Sequence, residues 1–257
     1  MRVYCAQATQ VWNDPTIMFA RAREAVLRAV DDGAEMVVFS EQFATGWRTS
    51  EESSEVSGDV VKSQWLDLAR EFGVVVVGSY ARDVLHSLPQ NVMLVAGPHG
   101  EVLAEYAKLH LFTPCGEDRR YSSGDVPVTF SYGGVKFGCA VCFDLRFPEL
   151  FRAYLKEGCE CVIVQAAWPA ARVADWELLL RARALENRGY VVGAGCLGYD
   201  AVSGTDYSGC GMICDYEGRV RADAGVFEGG CCCSVDVEGV REWRERWGID
   251  SFFVFVG

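Results

Sequence analysis

The sequence predicts an α/β protein, because strand-sized apolar runs alternate along the chain with segments of helical periodicity. A hairpin pattern over residues 91–106, with Pro98-His99-Gly100 as its turn, adds antiparallel pairing. The 257 residues are 50% hydrophobic, and they contain no linker, low-complexity tract or repeat. We therefore expect a single domain over residues 1–257 with one sizeable core.

The elements follow from local signals in chain order. A strand is expected at residues 2–8, and a helix then begins with Asp14 as N-cap and Pro15 in its first turn. Asp31-Asp32-Gly33 ends that helix. The other predicted elements are strands at 36–39 and 73–78, a helix at 59–72, the hairpin, an irregular segment at 107–124, strands at 127–131 and 135–141, a helix at 147–157, a strand at 160–165, a helix at 175–188 and a strand at 190–196. The remainder predicts strands around Gly- and Asp-containing turns, and then a C-terminal tail or interface segment from about residue 245.

The composition excludes several classes of function. A formal net charge of -12 and a pI near 4.8 argue against a general nucleic-acid-binding surface. No apolar run approaches the ~18 residues of a membrane span. The N-terminus also lacks the pattern of a secretory signal, so we expect a cytoplasmic protein that binds neither nucleic acid nor membrane.

The 12 cysteines are not expected to form disulfides, since disulfide frameworks belong to small secreted domains. Most are interpreted as reduced, buried and hydrophobic. Cys231, Cys232 and Cys233 occupy a predicted late strand, where neighbouring side chains point to opposite faces, so they are poor ligands for one metal. Cys139 and Cys142 lie on opposite faces of another strand for the same reason. No metal site is predicted.

Cys142 is a candidate nucleophile because a predicted strand ends there and a helix begins a few residues later. Such a strand-to-helix turn exposes a side chain at the end of a sheet and aims backbone N–H groups at the reacting atom. Taken alone, a cysteine at this position is more often a buried structural residue.

A cysteine nucleophile needs a base, and the chain has only 3 histidines. His86 and His99 occupy hairpin-like, exposed segments, and His110 is interpreted as a packed or hydrogen-bonded residue. A carboxylate can replace histidine, and Glu41 follows an apolar strand. Lys108 could stabilise an oxyanion. Individually, these two residues are also consistent with a solvated loop and a surface cation.

Three segments together resemble the nitrilase (carbon–nitrogen hydrolase) superfamily. They are Phe39-Ser40-Glu41, residues 106–112 (YAKLHLF) and residues 141–150 (VCFDLRFPEL), in the family's order and at compatible spacing. The resemblance covers nearly the whole chain and weakens in the final 25 residues. It implies a four-layer αββα sandwich with two central mixed sheets flanked by helices.

The same resemblance implies a catalytic triad with Glu41 as base, Lys108 as oxyanion stabiliser and Cys142 as nucleophile. By the same analogy, the backbone N–H of Phe143 also binds the oxyanion. Family members have a second glutamate after the lysine motif, and Glu117 is the nearest match. Its neighbour Asp118 is the alternative. No cofactor is implied.

Substrate choice is indicated by residues 168–172 (WPAAR) and 176–187, which resemble the ω-amidase-like branch. Enzymes of that branch hydrolyse the terminal amide of short monoamides such as 2-oxoglutaramate or 2-oxosuccinamate. Arg172 could bind the substrate's carboxylate and Trp168 could form a pocket wall. A surface or helix-capping arginine and a core tryptophan are equally consistent with the sequence.

Three alternatives remain open at this stage. The enzyme could act on N-carbamoyl compounds or on deaminated-glutathione-type amides. The chain could also be a non-catalytic small-molecule-binding or redox-sensing protein. The resemblance further implies a homodimer or higher homo-oligomer, to which the aromatic tail 251–257 could contribute.

Overall fold

The computed structural model describes residues 1–47 and 56–248. The first part of the chain contains β1 (Arg2–Gln7), α1 (Pro15–Asp31), β2 (Met36–Val38), α2 (Gly58–Phe72), β3 (Val75–Arg82), β4 (Gln90–Ala96) and β5 (Val102–Ala107). The second part contains β6 (Thr129–Tyr132), β7 (Val135–Val141), α3 (Pro148–Lys156), β8 (Cys161–Ala166), α4 (Val173–Asn187), β9 (Tyr190–Gly195), β10 (Leu197–Asp200), β11 (Thr205–Ser208), β12 (Met212–Cys214), β13 (Val220–Asp223), β14 (Gly229–Ser234) and α5 (Val237–Trp247).

The described strands form two six-stranded mixed sheets and one small hairpin. The first sheet has the order β14-β1-β2-β3-β4-β5, in which β1, β2 and β3 pair in parallel and every other neighbouring pair is antiparallel. The second has the order β13-β12-β9-β8-β7-β6, with β7, β8 and β9 parallel. Strands β10 and β11 pair separately.

The two sheets pack face to face, and helices cover their outer faces. Strand β2 shows the layering, since Met36 and Val38 point into the core between the sheets while Val37 points towards α1 and α2. Both faces of the strand are buried, which explains its continuous apolar sequence. On the second sheet, Trp176 and Leu180 of α4 pack into the core. These layers confirm the predicted αββα sandwich.

Each element predicted before residue 196 is present, with bounds shifted by a few residues. The start of α1 is set as expected, because the Asp14 carboxylate accepts a hydrogen bond from the Ile17 N–H at 3.0 Å. The cysteine run lies in β14 and alternates as predicted. Cys231 and Cys233 face the core between the sheets and Cys232 faces the α1 side.

The prediction for the C-terminal region was wrong in one respect, since residues 237–247 form the helix α5 and not strands followed by a tail from residue 245. Val237, Val240 and Trp243 recur at helical spacing, and this pattern was overlooked among the six charged residues of the segment. Asp236, whose side chain caps the Gly239 N–H at 3.0 Å, was the overlooked start signal. The aromatic segment 251–257 lies outside the described residues.

No helix within the described ranges is long and apolar enough to cross a membrane. All 12 cysteines have free thiols, and eight of them are buried. Over the same ranges, no group of three or more His, Cys, Asp or Glu side chains is arranged to hold a metal ion.

Candidate active site

Glu41, Lys108 and Cys142 meet because they follow strands that end at one edge of the sandwich. Glu41 comes three residues after β2, Lys108 directly after β5 and Cys142 directly after β7. Strand β5 runs in the same direction as β2, since β4 reverses the chain between β3 and β5. The carboxyl ends of such strands are the usual location of α/β functional sites.

Lys108 lies between two buried carboxylates. Its Nζ donates to Glu41 Oε1 at 3.0 Å and to both oxygens of Glu117 at 2.9 Å. The Lys108 side chain is 1% exposed and both carboxylates are 0% exposed. Glu117 is held in turn by the Phe112 N–H at 2.6 Å. Asp118, the alternative to Glu117, is exposed.

Two further groups orient Glu41, and the sequence analysis identified neither. Asn91, fully buried on β4, donates to Glu41 Oε1 at 2.7 Å and lies 3.4 Å from Glu117 Oε1. The backbone N–H of Ala167, just after β8, donates to Glu41 Oε2 at 2.9 Å. A buried asparagine within a strand pattern was the available signal for the first group, since such a residue needs partners.

Cys142 occupies the first position of a 3₁₀ turn, Cys142–Arg146, that connects β7 to α3. Its φ of +48° is in the left-handed region, which non-glycine residues seldom adopt. The thiol is half-buried, and Sγ lies 3.9 Å from the carbonyl oxygen of Ala167. This strand-to-helix turn is the geometry that the sequence predicted.

The charges around the thiol keep it protonated at rest. Burial raises the pKa of Cys142 well above its usual value, the Glu41 carboxylate raises it further, and Lys108 lowers it. For Lys108, burial lowers the pKa, but the carboxylates of Glu41 and Glu117 outweigh this effect and hold the pKa well above its usual value. The site therefore holds a neutral thiol beside a permanent cation.

A pocket of about 140 Å³, partly open to solvent, is lined by Cys142 and Lys108. Its aromatic walls are formed by Trp47, Phe112, Phe143, Trp168 and Tyr207. Two arginines, Arg146 and Arg172, also line it. The pocket can thus hold a small molecule that presents a carbonyl to the thiol and a negative charge to the arginines.

The remaining predicted site residues lie around this pocket. Phe143 follows Cys142 in the first turn of the 3₁₀ segment, where backbone N–H groups lack partners within the helix. Trp168 is both a pocket wall and a core residue, because it is 7% exposed and packs against Trp176 at 5.6 Å. Arg172 is exposed and its guanidinium stacks over Phe112 at 5.0 Å. Arg146 and Tyr207 were not identified from the sequence.

The histidines lie where the sequence analysis expected them. His86 and His99 are exposed, and His110 is half-buried with its Nδ1 2.7 Å from Asp144 Oδ1. No histidine lines the pocket described above. The buried carboxylate of Glu41 is consequently the candidate base for Cys142.

Comparison with known proteins supports this description. A structure of a variant of the amidase from Nesterenkonia sp. AN1, in which acrylamide has added to the active-site cysteine, superposes with a TM-score of 0.86 at 26% identity. The match covers 98% of this chain and 100% of that one. The four-layer fold with a half-buried cysteine at a strand end is thus that of the nitrilase-type hydrolases.

Sequence comparison makes the assignment more specific. The profile of the carbon–nitrogen hydrolase family matches residues 2–245, and the chain belongs to this family. A 2-oxoglutaramate amidase from Bacillus subtilis (strain 168) is 29% identical over 245 residues, covering 95% of this chain and 93% of the relative. A deaminated glutathione amidase from Synechocystis sp. (strain PCC 6803 / GT-S) is 30% identical over 278 residues, covering 100% of both.

Proposed function

We propose that the protein is an amidase that hydrolyses the terminal amide of a small carboxylic monoamide, such as 2-oxoglutaramate or 2-oxosuccinamate, to acid and ammonia. The observation that carries the proposal is the single pocket in which the Cys142 thiol, the Lys108 ammonium and two arginines face the same space. Glu41 accepts a hydrogen bond from Lys108 at the inner end of this pocket. Similarity to a 2-oxoglutaramate amidase supports the choice of substrate.

The first half of the reaction forms a thioester on Cys142. Glu41 accepts the thiol proton, and the sulfur attacks the amide carbon to form a tetrahedral oxyanion. Lys108 Nζ and the Phe143 N–H donate hydrogen bonds to that oxyanion. Protonated Glu41 then gives the proton to the departing nitrogen, and ammonia leaves.

In the second half, Glu41 takes a proton from water, and the water oxygen attacks the thioester carbon. The carbon–sulfur bond then breaks, the carboxylic acid leaves, and Glu41 returns its proton to the Cys142 sulfur. Glu117 serves a different purpose, since both of its oxygens bind Lys108. Glu117 holds the Lys108 ammonium beside the position that the oxyanion occupies, and it keeps the ammonium charged. No step requires a cofactor.

Arg172 is the residue that we assign to the carboxylate of the substrate. Arg146 is already paired, because its Nη2 lies 2.6 Å from Asp175 Oδ2. Arg172 lines the same pocket and forms no ion pair within residues 1–47 and 56–248. A local cation is needed here, because the chain as a whole carries a formal net charge of -12.

The proposal is tested by measuring ammonia release from 2-oxoglutaramate, 2-oxosuccinamate, glutamine and N-carbamoyl amino acids. We expect the two 2-oxo monoamides to be preferred and Cys142→Ala to be inactive on all four. Arg172→Gln should raise KM for 2-oxoglutaramate far more than KM for an uncharged amide. Retention of amidase activity by Cys142→Ala would show that the mechanism is wrong.

A second candidate substrate is a deaminated-glutathione-type amide. It is favoured by the relative from Synechocystis, which is as similar to this chain as the 2-oxoglutaramate amidase. Adding deaminated glutathione to the same assay separates the two, because the preferred substrate will have the higher kcat/KM. Carbon dioxide release would instead indicate a carbamoyl substrate.

We further propose that the enzyme is cytoplasmic and forms a homodimer to which residues 251–257 contribute. The 12 free thiols suit a reducing compartment. Light scattering of the full chain should give the mass of a dimer, and the mass should fall in a chain that ends at Asp250. An unchanged dimer would exclude the tail from the interface.

A further inference from the structure

The carboxylate of Asp144 is completely buried, yet it has no place in the mechanism above. Asp144 is 0% exposed and lies two residues after the nucleophile, in the same 3₁₀ turn. It does not line the pocket, so it cannot contact the substrate directly. An ionised carboxylate in such a position is costly unless donors surround it.

Four donors do surround it, and they come from the two segments that carry the catalytic groups. Val141 N–H, adjacent to Cys142, donates to Oδ2 at 2.8 Å, and Tyr106 Oη donates to the same oxygen at 2.7 Å. His110 donates to Oδ1 from its backbone N–H at 2.9 Å and from ring Nδ1 at 2.7 Å. Tyr106 and His110 flank Lys108 by two residues on either side.

The contacts continue through the aromatic rings to the oxyanion donor. His110 stacks flat on Phe147, with ring centroids 3.7 Å apart and an interplanar angle of 8°. Phe147 in turn meets Phe143 edge to face at 5.3 Å. Movement of His110 would therefore be transmitted to the residue whose N–H faces the oxyanion.

The backbone at Cys142 needs such support. A φ of +48° at a residue with a Cβ is strained and persists only where the surroundings enforce it. The bond from Val141 to Asp144 closes the turn on one side of Cys142. The bonds to Tyr106 and His110 tie that turn to the Lys108 segment.

We propose that Asp144 is a positioning residue that sets the distance between the Cys142 thiol and the Lys108 ammonium by joining the two segments. The proposal rests on the function assigned above to Cys142 and Lys108. Loss of one hydrogen bond of the connection should lower kcat and leave KM nearly unchanged, because Arg172 and the pocket walls other than Phe143 are not part of it. Misplacement of a catalytic group by ~1 Å is known to reduce rates by ~100-fold.

The test uses Tyr106→Phe, His110→Phe and Asp144→Asn in the full-length protein, with Tyr154→Phe as the matched control. Tyr106 and Tyr154 are both 0% exposed, but the Tyr154 hydroxyl donates to the Cys139 carbonyl and not to Asp144. His110→Phe keeps the ring stack on Phe147 and removes only the ring N–H. If Asp144→Asn does not fold, the other two variants carry the test.

Two reactions are measured for each variant. Ammonia release from 2-oxoglutaramate gives kcat and KM, and alkylation of Cys142 by iodoacetamide, followed by peptide mass spectrometry, gives a second rate. We expect Tyr106→Phe and His110→Phe to lower both kcat and the alkylation rate by about tenfold, with KM within about twofold. Tyr154→Phe should lose similar stability and keep both rates. The alkylation rate needs no substrate, so it tests the proposal even if 2-oxoglutaramate is not hydrolysed.

The proposal is overturned if Tyr106→Phe and His110→Phe unfold more easily but keep both rates, because Asp144 would then only stabilise the fold. It is also overturned if Tyr154→Phe slows both reactions as much as Tyr106→Phe does. In that case, any lost buried hydroxyl near the second sheet would have the same effect.

Discussion

At the scale of single residues, the site is governed by an imbalance of buried charge. One ammonium, on Lys108, faces two carboxylates, on Glu41 and Glu117, and all three are shielded from water. Two carboxylates and one ammonium leave a net negative charge next to Cys142. Burial, and then this negative charge, raise the pKa of the thiol, so that the thiol keeps its proton until Glu41 removes it.

Lys108→Met should abolish activity and also destabilise the fold. The substitution leaves Glu41 and Glu117 buried without their cation, and removal of one partner from a buried ion pair costs about 3–5 kcal/mol. Urea denaturation near pH 7 measures the change in the free energy of unfolding. Cys142→Ala, equally inactive, serves as the control and should change stability by less than about 1 kcal/mol. Equal stability of the two variants would contradict the role given to Lys108.

The pH dependence of Cys142 alkylation should move in opposite directions in two variants. Glu41 raises the pKa of the thiol and Lys108 lowers it. Glu41→Gln should therefore shift the alkylation profile with iodoacetamide to lower pH, while Lys108→Met should shift it to higher pH. Amidase activity is expected to be lost in both. Two profiles that stay where they are in the original chain would show that burial alone controls the pKa of the thiol, and a shift of both in the same direction would contradict the opposite effects of Glu41 and Lys108.

At the scale of elements, α5 is attached to the rest of the fold by the buried Val240 and by two arginines, Arg241 and Arg244. Arg244 donates to the carbonyl oxygens of Arg188 at 2.9 Å, Cys159 at 2.6 Å and Asn187 at 3.1 Å. Two of these residues end α4, whose terminal carbonyls have no partners within the helix. The contact thus holds α5 in place and caps α4 at the same time.

Arg244→Met should lower the free energy of unfolding by about 1–3 kcal/mol, because several hydrogen bonds to a charged donor are lost. The matched control is Arg246→Met on the exposed side of α5, for which a change within about 0.5 kcal/mol is expected. Since α5 contributes no residue to the pocket, kcat should be unchanged in both. A loss of kcat in Arg244→Met would show that α5 affects the site.

At the scale of the whole molecule, the buried thiols link stability to pH. Burial raises the pKa values of Cys139, Cys161 and Cys196, which are at most 3% exposed. In the unfolded chain each thiol ionises near pH 8.5. The stability that these neutral thiols contribute is therefore fully present below about pH 8.5 and is lost as pH rises towards their folded-state pKa values.

Stability measured by urea denaturation under reducing conditions should accordingly fall between about pH 7.5 and 9.5. Each of the three thiols contributes about 1.4 kcal/mol to this fall. Cys139→Ala should reduce the difference in the free energy of unfolding between pH 7.5 and pH 9.5 by about 1.4 kcal/mol, whatever it does to stability at pH 7.5. A variant with the same pH dependence as the original chain would show that Cys139 ionises in the folded state.

Much of the fold was predictable because its signals are local. The Asp14 cap, the strand-sized runs and the turn after β7 depend on neighbouring residues, and the structure contains all of them. Helix α5 was missed because six of its 11 residues are charged, although Val237, Val240 and Trp243 recur between them at helical spacing. The resemblance supplied what local patterns do not, namely the pairing of the two sheets.

The sequence by itself determined the α/β class, the order of the elements up to residue 196 and the three residues proposed for catalysis. Only the tertiary structure decided that Glu117 and not Asp118 holds Lys108, and that Asn91 and Ala167 orient Glu41. The bonds from Lys108 and Ala167 to Glu41 span 67 and 126 residues of chain. Such contacts depend on strand order and sheet packing, and local periodicity contains no record of either.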